Sequence, residues 1–358
     1  TLKHLETWAQ TDRPIHYTIS SQGLPGITDG SDVAALVAGF QAWKDVPGST
    51  LGADVIQDPP TSQTNAISGD AVHLLTFGDD YEFPANVLAV TPTLSYTRRQ
   101  TFDDRVALPG QIVDADIMFN PRARFYTATQ GTRAGGFDLQ SVATHEIGHF
   151  LGLSHTGVQT ATMYPVLQDG ENAASLEDDD RAAIVSAYPQ PAFATSYGTI
   201  TGKVTRGSTT TPIPGAFVYA AKIVGGVPTT AGASDYTDET GSYALRRLEP
   251  GQTYAVRVIP LDGSLPGLLP GAINAQVQAT AETNFQAEWF GGPESNQDDP
   301  DVYATFVVGA NVTQANVNIQ SNVDLTPPTV DTVTPSNLEA NVRIDTPIQV
   351  TFSEPVQA

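Results

Sequence analysis

The chain contains no cysteine among its 358 residues. Disulfides, thiolate metal sites and thiol nucleophiles are therefore excluded, and a cysteine-free chain fits any redox compartment. Basic residues are scarce as well: 17 Lys and Arg stand against 39 Asp and Glu, a net charge of −22, and only four of the basic residues are lysine. The deficit runs through the whole chain, at −13 over residues 1–190 and −9 over residues 191–358. An acidic surface repels phosphate, which argues against nucleic acid as a partner. It suits solubility in saline media and leaves room for a structural calcium ion. No apolar run approaches the roughly 18 to 20 residues needed to span a bilayer, so no transmembrane segment is predicted. The opening, TLKHLETWAQTDRP, lacks the apolar core of a signal peptide. That leaves either a cytosolic protein or a numbering that begins after processing.

What is present is the composition of a folded protein, with 40% apolar and 8% aromatic residues. The length exceeds one ordinary core and predicts two or three domains. The first part mixes helix and strand signals. SDVAALVAGFQAWKDVPG sets Val33, Leu36, Val37, Phe40 and Trp43 on one helical stripe, with Ser31 or Asp32 as N-cap and Pro47-Gly48 as the stop. AVHLLTF, NVLAVTPTL and DADIMF read as strands. Asp138 is placed to cap a helix from Leu139 to about Leu151, ended by Gly152. LEDDDRAAIVSAY predicts another helix, with acids in its first turn where the macrodipole favours them. From about Tyr197 short β-branched runs alternate with Gly, Pro, Asp and Thr turns, the pattern of an all-β sandwich. A proline-rich break, DLTPPTVDTVTP, follows near Asp324. The expected division is a mixed α+β domain over 1–190, a β-sandwich over 191–322, and over 323–358 a linker with the first strands of an incomplete domain.

The chemistry concentrates in VATHEIGHFLGLSH, where three of the six histidines fall within eleven residues. On a helix, His145 and His149 project from one face on successive turns and can chelate one metal ion. Glu146 leans over the same ion without ligating it. A continuing helix would carry His155 about 9 Å further along the axis. Gly152 lets the chain turn back and offer a third nitrogen. Three neutral nitrogens with one open position are how catalytic zinc is held. Average residue usage yields HExxHxxGxxH by chance on the order of once in 10⁵ chains of this length.

HEIGHFLGLSH resembles the zinc signature of the metzincin metallopeptidases. ATMYP resembles the family's Met-turn, with Met163 beneath the zinc, and the MYP order is that of the matrixin branch. LEDDDRAAIVSAYP is similar to the matrixin C-terminal helix, with Asp179 and Asp180 in its paired-aspartate position. DADIMFNP resembles a matrixin sheet strand and FQAWKDVPG the first helix, so the likeness covers about residues 10–190. It implies an α/β/α zincin domain with a twisted mixed sheet and an active-site helix, one catalytic Zn²⁺ and a protein or peptide substrate. It also implies Glu146 as general base and an S1′ pocket walled by Pro165, Val166 and Leu167. A substrate would lie extended along an edge strand, for which DADIMF and ARFYTA are the two candidates. Ile117–Thr144 contains no histidine, so the second, structural zinc typical of matrixins is not expected. With no cysteine in the sequence, no cysteine-switch propeptide is expected within it, and any latency works otherwise or was removed with an earlier segment.

The following region resembles carboxypeptidase-regulatory or prealbumin-like sandwiches, and the last 35 or so residues resemble a bacterial Ig-like domain. Such appendages imply a secreted enzyme, held at the cell surface or free, and a monomer is expected. A second reading is a catalytically silent metzincin fold serving as a binding or adhesive surface protein. His4, His16 and His73 are expected to be structural, the first two in an edge-like segment and the third within a strand. Met118 is expected in the core. The pairs Asp79-Asp80, Asp103-Asp104 and Asp298-Asp299 have no EF-hand spacing and are read as solvated turns.

Overall fold

The computed structural model describes residues 6–9, 12–102, 106–131, 135–167, 173–207, 209–263, 280–291, 302–322, 330–336 and 348–352. The first elements are β1 (Thr7–Trp8), β2 (Ile15–Ile19), α1 (Ser31–Lys44), α2 (Leu51–Asp54), β3 (Val55–Gln57), β4 (Leu74–Thr76), β5 (Ala89–Val90) and β6 (Thr93–Ser95). They are followed by β7 (Gln100–Thr101), β8 (Val106–Ala107), β9 (Gln111–Ala115), β10 (Ile117–Phe119), β11 (Phe125–Tyr126) and β12 (Phe137–Asp138). Three helices come next: α3 (Leu139–Phe150), α4 (Asp178–Ala187) and the short α5 (Phe193–Ser196).

A five-stranded sheet in the order β3-β2-β4-β10-β5 underlies α1 and α3. Its first four strands pair in parallel, and β5 runs antiparallel at the edge. A three-stranded sheet, β1-β9-β6, lies beside it. The run NVLAVTPTL is not one strand: Thr91-Pro92 divides it into β5 and β6, which join different sheets. Proline cannot donate to a ladder, so the chain changes partner there. DADIMF is likewise split at Asp116, whose carboxylate accepts the Leu74 amide at 2.9 Å instead of continuing a strand.

Helices α1 and α3 pack over the sheet. Leu36, Phe40, Trp43, Ile147 and Phe150 are buried between the layers, and Tyr17 of β2 stacks on Phe40 with ring centroids 3.7 Å apart. Each such fully buried side chain contributes roughly 1.5–3 kcal/mol. The N-cap of α1 is neither Ser31 nor Asp32. Gly30 caps it in the left-handed conformation, Ser31 bonds back to Asp29, and Asp32 turns inward to accept the Leu24 amide at 2.8 Å. His16 does not sit on an edge strand: β2 lies between β3 and β4, and the imidazole points outward to Asp58 at 2.8 Å. His73 precedes β4 rather than lying within a strand, and its Nδ1 lies 2.8 Å from Asp114. Met118 is buried in β10, as expected.

The second half comprises β13 (Gly198–Arg206), β14 (Phe217–Val224), β15 (Val227–Tyr236), β16 (Ser242–Leu248), β17 (Thr253–Ile259), β18 (Glu288–Trp289), β19 (Phe306–Val307), β20 (Thr313–Gln314) and β21 (Ile319–Ser321). One sheet is built around β13, which pairs with β16, β20 and β21; the other runs β15-β14-β17-β18. Alternating inward residues, among them Ile200, Val204, Val218, Leu245, Val256 and Val258, fill the space between them. This is the sandwich expected from the alternation. Finally, β22 (Val330–Thr334) pairs antiparallel with β23 (Gln349–Phe352).

Candidate metal centre

Helix α3 begins where the sequence places its cap. The Asp138 carboxylate accepts the Ser141 amide at 2.8 Å and the Ser141 hydroxyl at 2.7 Å. The helix is buried along most of its length, so its exposed-end carbonyls need partners. The Trp8 indole donates to Phe150 O at 2.8 Å and the Tyr188 hydroxyl to Leu151 O at 2.7 Å; in mid-helix the Trp43 indole donates to Thr144 O at 2.8 Å. At the C-terminus the Leu153 amide returns to Gly148 O and the Gly152 amide to His149 O, a Schellman closure. Gly152 has φ +91°, and a Cβ there would fall 2.0 Å from the Glu6 carbonyl oxygen. Only glycine turns the chain at this point.

That turn brings His155 back onto the helix face. Its Nε2 lies 3.1 Å from Nε2 of His145 and 3.1 Å from Nε2 of His149. His145 Nδ1 donates to Thr162 O and His149 Nδ1 donates to Leu153 O, each at 2.7 Å. A carbonyl only accepts, so both protons sit on Nδ1 and both Nε2 lone pairs face the shared point. Burial, then the neighbouring imidazole, pushes the pKa of each ring down to about 3, against the opposing pull of its carbonyl. Both rings are therefore neutral and able to ligate. Zinc–nitrogen bonds of about 2.0–2.1 Å at tetrahedral angles separate ligand nitrogens by about 3.3–3.4 Å. The donor set fits one such ion with a few tenths of an ångström of opening. Among the described residues these three histidines are the one group of His, Cys, Asp and Glu gathered closely enough to hold a metal.

Glu146 stands outside that group but lines the same cleft of about 1030 Å³. Its Oε2 accepts the Thr91 hydroxyl at 2.6 Å, and burial pushes the carboxyl up to about 7 although that hydrogen bond opposes the rise. Thr91 directly follows the edge strand β5, which also lines the cleft. The edge beside the site is therefore Ala89–Val90. Of the two segments expected there, DADIMF is internal to its sheets and the Phe125–Tyr126 strand of ARFYTA is buried against β12.

Met163 is buried beneath α3. A Cβ on Gly148 would lie 2.2 Å from its sulfur and 3.0 Å from Trp43. The loop from His155 to Met163 is closed by the Thr156 amide on Met163 O at 3.0 Å. Asp180 of α4 grips that loop: its carboxylate accepts the Thr162 amide at 2.9 Å, the Met163 amide at 3.0 Å and the Glu177 amide at 2.9 Å. Burial, then the charge of Asp179, raises the Asp180 carboxyl to about 7, and the three amides oppose it. Asp179 accepts the Thr156 hydroxyl at 2.7 Å, and its pKa is also raised by burial. These first-turn acids thus bind a neighbouring loop as well as complementing their own helix dipole.

From the sandwich side, the Tyr236 hydroxyl donates to the carbonyl of His155 at 3.2 Å, and the Ser234 hydroxyl lies 3.2 Å from that of Thr156. Burial, then the charges of Asp179 and Asp235, holds the Tyr236 phenol well above its ordinary pKa and so protonated. Pro165, Val166 and Leu167 line the cleft together with Tyr164, Val142 and Phe137.

The remaining candidates stay apart from this centre. His16 and His73 pair with single aspartates, and the Asp79 carboxylate accepts the Ala66 and Tyr81 amides as part of a turn. His4, Asp103-Asp104 and Asp298-Asp299 lie outside the described residues. Thr91, Ser234 and Tyr236 carry no motif, and nothing in the sequence singled them out.

Residues 99–189 match the matrixin family model, and residues 324–358 match a bacterial Ig-like domain model. Among curated relatives, metalloendoproteinase 1-MMP of Arabidopsis thaliana is 44% identical over 63 residues, 17% of this chain and 17% of that protein. Matrix metalloproteinase-2 of Drosophila melanogaster is 32% identical over 113 residues, covering 31% of this chain and 13% of the relative. The hatching enzyme of Paracentrotus lividus is 44% identical over 91 residues, covering 25% and 15%. The chain thus spans less than a fifth of the length of each of these relatives. The stretch holding the three histidines is matrixin-like, and residues 324–358 are similar to a bacterial Ig-like domain. No helix among the described residues is long and apolar enough to cross a membrane.

Proposed function

We propose that this chain is a secreted, zinc-dependent endopeptidase acting on extended protein or peptide substrates, with His145, His149 and His155 as the metal ligands. The observation that carries this reading is the convergence of three Nε2 atoms on one point, with the Glu146 carboxyl lining the same cleft yet outside the donor set. A zinc ion held by these three imidazoles would supply Lewis acidity to a water molecule and to the scissile carbonyl. Glu146 accepts the proton of the attacking water and returns it to the departing amine. The Thr91 hydroxyl steers that carboxylate by its bond to Oε2. The substrate backbone pairs with the edge strand Ala89–Val90, and the side chain after the cleaved bond enters the space beside Pro165, Val166 and Leu167. Met163 is an apolar floor that locks helix to loop and makes no bond to the ion. The catalytic unit is residues 1–190, the sandwich 191–322, and 323–358 belongs to an Ig-like unit. The enzyme acts outside the cell as a monomer.

Glu146→Gln tests the reading. The variant keeps the full zinc content of wild type and loses about 10²- to 10⁴-fold of its casein-degrading rate. Equal residual rates in the two proteins would show that any hydrolysis is not catalysed here and would leave a silent binding protein.

A further inference from the structure

The third imidazole is mounted differently from the other two. His145 and His149 ride on α3, whereas His155 sits on an irregular loop between the two halves of the molecule. One side of that loop is tied to α4 through Asp179 and Asp180. The other side is pressed against the β-sandwich. Val158 and Ala161 of the loop are buried in one apolar cluster with Phe217, Ala231, Ile259 and Leu261. Ser234 and Tyr236, two apart on β15 and hence on one face of the strand, reach Thr156 and the His155 carbonyl. Lys222 of β14 forms an ion pair with Asp178 at the start of α4. The sandwich thus meets the loop with a hydroxyl pair and an apolar patch, and α4 with a charge.

We propose that Tyr236 is a positioning residue of the metal centre: through the His155 carbonyl the sandwich holds the third imidazole where it ligates, so the two units act as one functional body. The inference rests on the zinc reading above. The phenol touches neither metal nor substrate; it acts through the ligand's own backbone. A spacer domain would have no such contact to lose.

The test uses the full chain. Zinc affinity is measured by competition with a chromophoric chelator, and thermal unfolding is followed with and without zinc, for wild type, Tyr236→Phe and Tyr303→Phe. Tyr303 is the control because its hydroxyl also donates to a backbone carbonyl, Gly226 O at 2.8 Å, at the turn between β14 and β15 rather than at a metal ligand. Tyr236→Phe is expected to bind zinc about tenfold more weakly, as loss of an outer partner of a ligand does. Its zinc-induced rise in melting temperature should shrink, and Tyr303→Phe should match wild type in both respects. A purely structural role would lower both melting temperatures equally and leave the zinc-induced rise intact; that result, or an unchanged zinc affinity, overturns the proposal. Should Tyr236→Phe fail to fold, Ser234→Ala replaces it: about threefold weaker zinc binding upholds the proposal and unchanged binding overturns it. A wild type that binds no zinc sinks the peptidase reading and this inference together, whereas zinc-binding wild type with an indifferent Tyr236→Phe sinks only the inference.

Discussion

Two regions deliver imidazoles to the same point by opposite means. Helix α3 presents His145 and His149 by its own periodicity, with Asp138 at its start and Gly152 at its end. The loop from His155 to Met163 has no repeating backbone pattern. It is positioned by what surrounds it: Asp180 and Asp179 from one side, Ser234 and Tyr236 from the other. The difference shows that equivalent ligands need not share an origin. Two are set by local sequence, and one by tertiary contacts that arrive from up to 81 residues away.

The sharpest way to break that comparison is to remove one imidazole of each kind. His149→Ala and His155→Ala should each weaken zinc binding on the order of 10³-fold, since the ion's binding energy is divided over few ligands. Dialysis against buffered zinc followed by metal analysis reads the loss. If His155→Ala keeps wild-type affinity, the loop mount is not a mount.

Next in size is the clamp. Asp180→Ala strands three amides in the interior, and urea unfolding should show a loss of about 3 kcal/mol or more. Zinc binding should weaken with it, because two of the three amides released, those of Thr162 and Met163, belong to the loop that ends in Met163. A loss confined to stability would place the clamp outside the metal centre.

A buried acid away from both regions separates burial from ligation. Asp116 accepts the Leu74 amide, and burial raises its carboxyl to about 6, with Asp114 and Asp70 adding to the rise and His73 opposing it. The folded pKa lies above the unfolded value near 3.9, so the protonated form is favoured by folding. Its stabilising contribution is whole below about pH 4 and disappears as pH climbs through 6. Asp116→Asn should therefore raise stability at pH 7.5 by about 2 kcal/mol relative to wild type and make no difference at pH 4. Urea midpoints at the two pH values check the sign.

The smallest expected effect concerns helix starts. Asp138→Ala should cost about 1 kcal/mol in urea unfolding, while Ser31→Ala should cost less than about 0.5 kcal/mol, because Gly30 rather than Ser31 caps α1. Equal costs would refute that assignment.

These contrasts explain what was legible. The helix-borne half of the centre was readable because cap, spacing and terminating glycine all act within a few residues. The return of His155 was readable in outline from Gly152. What holds His155 was not, since Ser234 and Tyr236 belong to an ordinary alternating strand and acquire meaning only when that strand docks. Thr91 was hidden for the same reason: the proline after it looked like part of one strand, and the partition between two sheets is a tertiary outcome. The α1 cap was misplaced because Ser31 and Asp32 are both good cap residues, but Asp32 is drawn inward by the Leu24 amide.

Gly148 bears on protein engineering. The space its missing side chain vacates is filled by the thioether of Met163, packed against Trp43. A designer transplanting the histidine helix onto a new scaffold would carry over half of an interlocking joint. The recipient must supply a sulfur-bearing turn at the matching height, or the grafted helix will be left with a notch where its counterpart should seat.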